Sequence, residues 1–445
     1  MPSDSIDKVL KPFERFLHNE STAGILLLVS ALIAVLWANS PWSEYYMHLW
    51  ENEVLLRIGS YEIGKTLHHG INDGLMAMFF FVVGLELKRE IMAGELSDIR
   101  KAMLPLSSAV GGMIVPAIIY LLFNPSGERN DGWGIPMATD IAFALGIMSL
   151  LGKRVPLTLK VFLTALAIAD DLGAVLVIAF FYTSDISLLS LGAGALFMAI
   201  LIGANYIGVR STLFYGLVGI GGVWLAFLLS GVHATIAGVL AAVAIPARTK
   251  INEPQFISVL EKEIEQFHEI PPNDLTLLEP AQYKVIENIH RLTEAAGTPL
   301  QRLEAQLHPW VSFIVMPLFA LANAGVVLYG DRMGEAFSNT ITLGVLVGLS
   351  VGKFLGVVGF CWVATKVGIA TLPPGINWRQ IAGVGCLAGV GFTMSLFITT
   401  LAFEHAEFVD NAKLGIFAAS IISGVAGYIV LRIASPYSNT LGTLK

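Results

Sequence analysis

The chain alternates between long apolar runs and short polar breaks along most of its length. Apolar stretches fall at 23–38, 72–92, 102–123, 133–151, 157–182, 189–207, 212–230, 231–246, 308–329, 340–366, 378–403 and 410–433. Most approach the ~20 helical residues that cross a bilayer, so the pattern predicts about twelve spans with both chain ends on one side. Two polar stretches interrupt it. In the first, Val54-Leu55-Leu56-Arg57-Ile58 and Tyr61-Glu62-Ile63 flank Gly59-Ser60, the signal of a small β-hairpin outside the membrane. The second, 247–307, is net acidic. There Phe256, Leu260, Ile264 and Phe267, and then Val285, Ile289 and Leu292, recur at helical spacing and predict short amphipathic helices. Their apolar faces suit either the surface of the membrane part or a partner. Thr298-Pro299 reads as an N-cap and first helical residue leading into the ninth span. The chain thus divides into a first membrane part (1–246), an insert (247–307) and a second membrane part (308–445).

Composition fixes the class. The chain is 55% hydrophobic and 14% charged, with mean hydropathy +0.70. A soluble domain carries about 25% charge, so this is an all-α polytopic membrane protein. A net charge of −7 with no basic tract argues against a nucleic-acid partner. Cys361 and Cys386 lie in apolar runs without metal-ligand spacing and read as reduced packing residues. Residues 1–19 are long and acid-containing for a leader and show no small-x-small site, so the first helix is expected to be retained. Seventeen Lys and Arg fall on the side of the N-terminus; Arg57, Lys65, Arg129, Arg332 and Lys413 are the five on the other. That asymmetry places both termini in the cytoplasm.

The charges that remain inside the spans carry the chemistry. Asp170 and Asp171 are the only charges between Val161 and Tyr182. Each costs on the order of 2.5–3.5 kcal/mol at mid-membrane on insertion scales, and such groups ordinarily handle ions or protons. Ala167, Asp171 and Ala174 share a helix face with Asp170 and Gly173 beside them, so neighbouring helices can close over the pair. Gly132, Gly134 and Pro136 precede Ala138-Thr139-Asp140, and Gly383, Gly385, Gly389 and Gly391 precede Phe392-Thr393-Met394-Ser395. These read as two broken helices, the device by which transporters expose helix ends and free backbone groups at an ion site; close packing at glycine faces is the plainer alternative. Asp140 would balance the positive N-termini there. Lys353, the one charge in its span, is too deep to snorkel and takes Asp170 as its natural partner. A structural ion pair and a proton-carrying lysine both fit it.

Six motifs in this order resemble one family. Phe80-Phe81-Val82-Val83-Gly84-Leu85-Glu86-Leu87-Lys88-Arg89-Glu90, Ala138-Thr139-Asp140-Ile141-Ala142-Phe143-Ala144, Ala167-Ile168-Ala169-Asp170-Asp171-Leu172-Gly173-Ala174, Gly231-Val232-His233-Ala234-Thr235, Leu307-His308-Pro309-Trp310 and Gly391-Phe392-Thr393-Met394-Ser395-Leu396-Phe397 are similar to those of the NhaA-type sodium–proton antiporter family of bacteria. The likeness runs from about residue 12 to 433 and fails only in the insert. It implies about twelve helices with inverted repeats, two broken helices crossing at mid-membrane, and a cytoplasmic funnel leading to the site. It implies that Asp170 and Asp171, with Thr139 nearby, bind Na+ or Li+ and the competing protons, and that Asp140 and Lys353 compensate helix-end charge. Glu86, Arg89, Glu90, His233, Glu304 and His308 match positions tied to the funnel and to pH response. The 54–63 hairpin matches the family's homodimer contact. The implied protein is a transporter rather than an enzyme, without cofactor, embedded in the lipid of the bacterial inner membrane, exchanging cytoplasmic Na+ for external protons electrogenically and under pH control.

Three departures stand out. The insert at about 250–297 lengthens the loop next to the region the resemblance ties to pH response, Lys353-Phe354 stands where family members often have Lys-Pro and is expected to straighten that helix, and Ala305 stands where some relatives have a histidine. Two rival functions differ in what they require. An aspartyl protease needs carboxylates sharing a proton across ~3 Å, whereas neighbours on one helix point about 100° apart. A sodium-coupled solute symporter needs a substrate pocket, and the sequence offers no spare polar cluster for one.

Overall fold

Alanines face inward and most of the large side chains outward along the first helix of the computed structural model, which describes residues 20–58, 61–183, 186–271, 277–327 and 333–435. In that helix, α1 (Glu20–Ala38), Ala31, Ala34 and Ala38 are buried while Leu28, Leu32 and Leu36 are exposed. Lipid is as apolar as leucine, so close helix approach rather than burial of large side chains organises such an assembly. A turn of 114° leads into α2 (Ser43–Glu51), whose Tyr46 and Trp50 are buried. Strands β1 (Glu53–Ile58) and β2 (Tyr61–Thr66) pair antiparallel, from Glu53 opposite Thr66 to Ile58 opposite Tyr61. The expected turn residues Gly59 and Ser60 lie outside the described residues.

Next come α3 (Leu67–Ala93), α4 (Ile99–Phe123), a tight 3-10 run (Glu128–Met137) followed by α5 (Ile141–Leu150), α6 (Leu157–Phe181) and α7 (Leu188–Ile207). α8 (Thr212–Leu228) and α9 (Ala234–Ala244) follow; α10 (Glu253–Glu269) and α11 (Pro280–Ala296) form the insert. The chain finishes with α12 (Pro299–Asn323), α13 (Thr340–Val367), α14 (Trp378–Ala388), α15 (Phe392–Ala402) and α16 (Ala406–Ala434). Among the described residues eight helical runs are long and apolar enough to cross a membrane, or ten if the bent pairs α1–α2 and α14–α15 each count once. The expected seventh and eighth spans are α8 and α9, both shorter than that length. A π-helical turn at Gly219–Trp224 interrupts α8, and Gly231, at φ 82°, lies in the middle of the link before α9.

Burial ranks the helices. Of the most apolar stretch of α6, 67% is enclosed by protein, against 17% for α7, so α6 runs through the middle and α7 along the rim. α4 and α13 meet backbone to backbone: a Cβ added at Gly356 would stand 2.1 Å from the Gly111 carbonyl oxygen. α13 passes a π-helical turn at Gly348–Gly352 and runs on through Phe354 as one span.

In the insert α10 and α11 pack together, with the Asn288 side chain donating to Glu263 at 3.2 Å. Val285 is buried and Ile264 is 43% exposed. Thr298 caps α12, accepting from the Gln301 amide at 3.2 Å, with Pro299 in the first turn. α12 therefore starts inside the stretch assigned to the insert and runs across residue 307.

Candidate functional site

From Val161 to Phe181 the only charges on α6 are Asp170 and Asp171, and neither is more than 2% exposed. Two helix breaks meet beside them. The chain is extended at 138–140, between the 3-10 run and α5, and the link 389–391 separates α14 from α15 at an angle of 42°. A helix break leaves backbone groups without intrahelical partners, and here each break satisfies the other. The Asp140 amide donates to the Val390 carbonyl at 2.7 Å, Thr139 Oγ1 to the Ala388 carbonyl at 2.9 Å, and Ser395 Oγ to the Ile135 carbonyl at 2.9 Å.

Asp140 serves two helix starts at once. Its Oδ1 accepts from the Phe143 amide of α5 at 3.0 Å; its Oδ2 accepts from the Thr393 amide of α15 at 3.1 Å and from Thr393 Oγ1 at 2.5 Å. A carboxylate at a helix N-terminus meets the positive end of the helix dipole, and this one meets two. Thr393 is a partner the sequence did not single out. Its place two residues after the last glycine of a broken helix is the only local signal, since its contact lies 253 residues away.

Lys353 Nζ donates to Asp170 Oδ2 at 2.5 Å, and both side chains are buried. The lysine stem reaches α6 past glycine: a Cβ at Gly112 would lie 3.5 Å from Nζ. Thr139 stands beside Asp170. Three carboxylate oxygens, Asp170 Oδ1 and both of Asp171, accept no hydrogen bond among the described residues. Buried acceptors are ordinarily satisfied, and hard cations take such oxygens as ligands. Asp171 is also within electrostatic range of Asp140 and Glu86, which ties the pair to the next cluster.

That cluster lies on the last two turns of α3. Arg89 forks between Glu304 of α12 and Glu90, the latter at 3.1 Å, and the second oxygen of Glu90 accepts the Glu95 amide at 3.1 Å. Glu86 is half-buried one turn before Glu90. His308 sits one turn beyond Glu304, exposed. His233 does not join them: it precedes α9 and its Nε2 lies 2.6 Å from the Tyr182 carbonyl oxygen, just past the far end of α6. Sequence spacing could not separate these two groups, because only the direction in which each helix runs decides the end at which a residue emerges.

A family model described as Na+/H+ antiporter 1 matches residues 14–431. Among the relatives, the Na+/H+ antiporter NhaA of Oleidesulfovibrio alaskensis is 50% identical over 429 residues, covering 96% of this chain and 95% of that protein. NhaA 2 of Syntrophotalea carbinolica is 48% identical over 425 residues (96% and 97%), and NhaA of Sulfurimonas denitrificans 45% over 436 (98% and 98%).

Proposed function

This chain belongs to the Na+/H+ antiporter 1 family, and we propose that it exchanges cytoplasmic Na+ or Li+ for external protons at Asp170 and Asp171. The reading rests above all on three unbonded carboxylate oxygens buried beside two helix breaks. It is a transporter and not an enzyme, and the relatives' names lend no support to a solute symporter.

In this reading protons and sodium compete for the same oxygens. A carboxylate pair without cation or proton is doubly charged, and such a site is costly to carry through a low-dielectric interior. The carrier therefore turns over only when loaded. Sodium entering the site has to win Asp170 Oδ2 from the Lys353 ammonium, which leaves the uncompensated charge of the empty site on Asp171. Asp140 holds the N-terminal helix ends together in both states, and Thr139 offers its oxygen beside the cation. When more protons enter than sodium ions leave, each net charge draws ~2.3 kcal/mol per 100 mV from the membrane potential.

The chain is proposed to cross the bacterial inner membrane twelve times, in inverted repeats, with α8 and α9 as its short spans and both termini in the cytoplasm. Glu86, Arg89, Glu90, Glu304 and His308 line the cytoplasmic funnel and carry the pH response. His233 bears on that response from the opposite end. The paired strands β1 and β2 lie outside the cytoplasm and contact a second copy, and no cofactor takes part. The test is dye-monitored dissipation of a pH gradient in everted vesicles: dissipation on adding sodium or lithium is expected, and no response to either would refute the function.

A further inference from the structure

The hydroxyl of Ser423, on α16, is buried at 2% exposure and makes no hydrogen bond among the described residues. Elsewhere in the spans of this chain, hydroxyls settle on the carbonyl one turn back. Ser350 donates to Leu346 at 2.5 Å, Thr365 to Cys361 at 3.1 Å and Thr399 to Ser395 at 2.8 Å. That local bond is the usual recourse of a serine or threonine inside a helix. Ser423 instead turns to the helix break. A Cβ added at Gly389 would stand 2.6 Å from Ser423 Oγ, nearer than the Ser423 Cβ at 3.1 Å. One turn earlier on the same face, Ser420 Oγ accepts from the Phe392 amide, the first of α15, at 3.3 Å. α16 therefore brings two hydroxyls to the 389–391 link, one engaged and one idle. An idle buried hydroxyl is destabilising, because it has given up water and gained nothing.

The link holds carbonyls that such a donor can serve. Those of Ala388 and Val390 take their hydrogen bonds from the other break, through Thr139 Oγ1 and the Asp140 amide. The Asp140 carboxylate keeps the starts of α5 and α15 joined, so the carbonyls at the end of α14 are the groups that change partners when α14 swings about the link. A buried carbonyl that loses its donor needs another. The other near neighbour of Gly389 is the Leu349 carbonyl oxygen, itself an acceptor, which leaves Ser423 as the donor at hand. We propose that Ser423 is a positioning residue for exchange. Its hydroxyl is idle in the present state and donates to a carbonyl of the 388–390 segment in the alternate state, where α14 meets α15 at a different angle. The inference rests on the exchange at Asp170 and Asp171 read above. Without the hydroxyl the alternate state holds an unpaired carbonyl and is reached more slowly, while the sodium site keeps its affinity.

The experiment compares the parent, Ser423→Ala and Ser420→Ala by sodium-driven exchange in proteoliposomes and by thermal unfolding in detergent. Ser423→Ala should lower the maximal rate per folded protein about tenfold and leave apparent sodium affinity within about twofold, the mark of a contact made only along the cycle. It should melt at or above the parent temperature, because an unpaired buried hydroxyl is removed. Ser420→Ala loses a bond that the present state already makes and should melt lower. With the parent active, an unchanged maximal rate in Ser423→Ala overturns the proposal. A lower melting temperature in Ser423→Ala does so too, since it would show the hydroxyl engaged in the present state, and so does a loss of sodium affinity as large as the loss of rate. No exchange in the parent would refute the reading of the carboxylate site itself, and the role of Ser423 with it.

Discussion

Asp140 and Thr393 lie 253 residues apart, yet the carboxylate of one joins the first turns of two helices through the amide and hydroxyl of the other. Thr393→Val keeps the shape and deletes the hydroxyl donor at 2.5 Å. The expected cost is about 1.5–3 kcal/mol, the usual worth of a hydrogen bond to a charged group. Thermal unfolding in detergent measures it; a melting temperature equal to that of the parent would mean that the contact holds nothing together.

Asp171→Asn is nearly isosteric and removes the charge that the two unbonded oxygens of Asp171 carry. Sodium-driven exchange should fall to the background of empty vesicles while the protein elutes as a folded species. Near-normal exchange would remove Asp171 from the site, and Asp170→Asn is expected to behave in the same way.

Lys353→Ala tests the ion pair. Leaving Asp170 buried without its ammonium should cost about 3–5 kcal/mol, as for other broken buried pairs. If the lysine serves stability alone, some exchange survives in the variant, and complete loss of exchange in a well-folded variant would give it a part in transport. Unchanged stability together with unchanged transport would leave the pair without a role.

The two ends of the insert are already tied together. The Lys250 amide donates to the Ala295 carbonyl at 2.9 Å, and the Leu300 amide to Pro246 at 3.1 Å. Deleting 252–296 and closing the gap with a short linker should therefore preserve exchange and shift its pH profile. Loss of exchange in a well-folded deletion protein would show that the insert belongs to the transport cycle itself.

Competition for shared carboxylates has a thermodynamic signature. Each proton that must leave before sodium binds makes apparent sodium affinity about tenfold weaker per unit fall in pH, since 1.36 kcal/mol accompanies each unit. Two coupled carboxylates give a slope between one and two, flattening at pH values above their macroscopic pKa values. Sodium-dependent exchange in proteoliposomes at several pH values measures the slope. An affinity that stays flat while the maximal rate changes would mean separate sites for the two ions.

Much of this architecture is legible because lipid forbids most charges. A lone Lys353 in one apolar run and two aspartates in another leave few ways to pair, and the structure pairs Lys353 with Asp170. The breaks at 138–140 and 389–391 fall beside glycine and proline, which weaken a helix, although α4 runs unbroken through Pro105 and Pro116. Less can be read where geometry depends on remote partners. The apolar run 231–246 reads as a full span, but its first residues form the link around Gly231, and α9 keeps only Ala234–Ala244. Nor does a motif match say where in the fold a residue stands: His233 lies against the Tyr182 carbonyl because α6 and α9 bring their ends together there.

The contact between Gly111 and Gly356 constrains the machinery in another way. With backbone pressed on backbone, α13 has no room to ratchet along α4 without passing a carbonyl through its neighbour. The two helices behave as a single beam with Lys353 mounted on it. Separation of the ammonium from Asp170 is then left to rotations within the lysine's own four-carbon stem, or to displacement of α6 relative to the beam. A crosslink joining α4 to α13 near these glycines would leave turnover intact, whereas one joining α4 to α6 would arrest it if the second route operates.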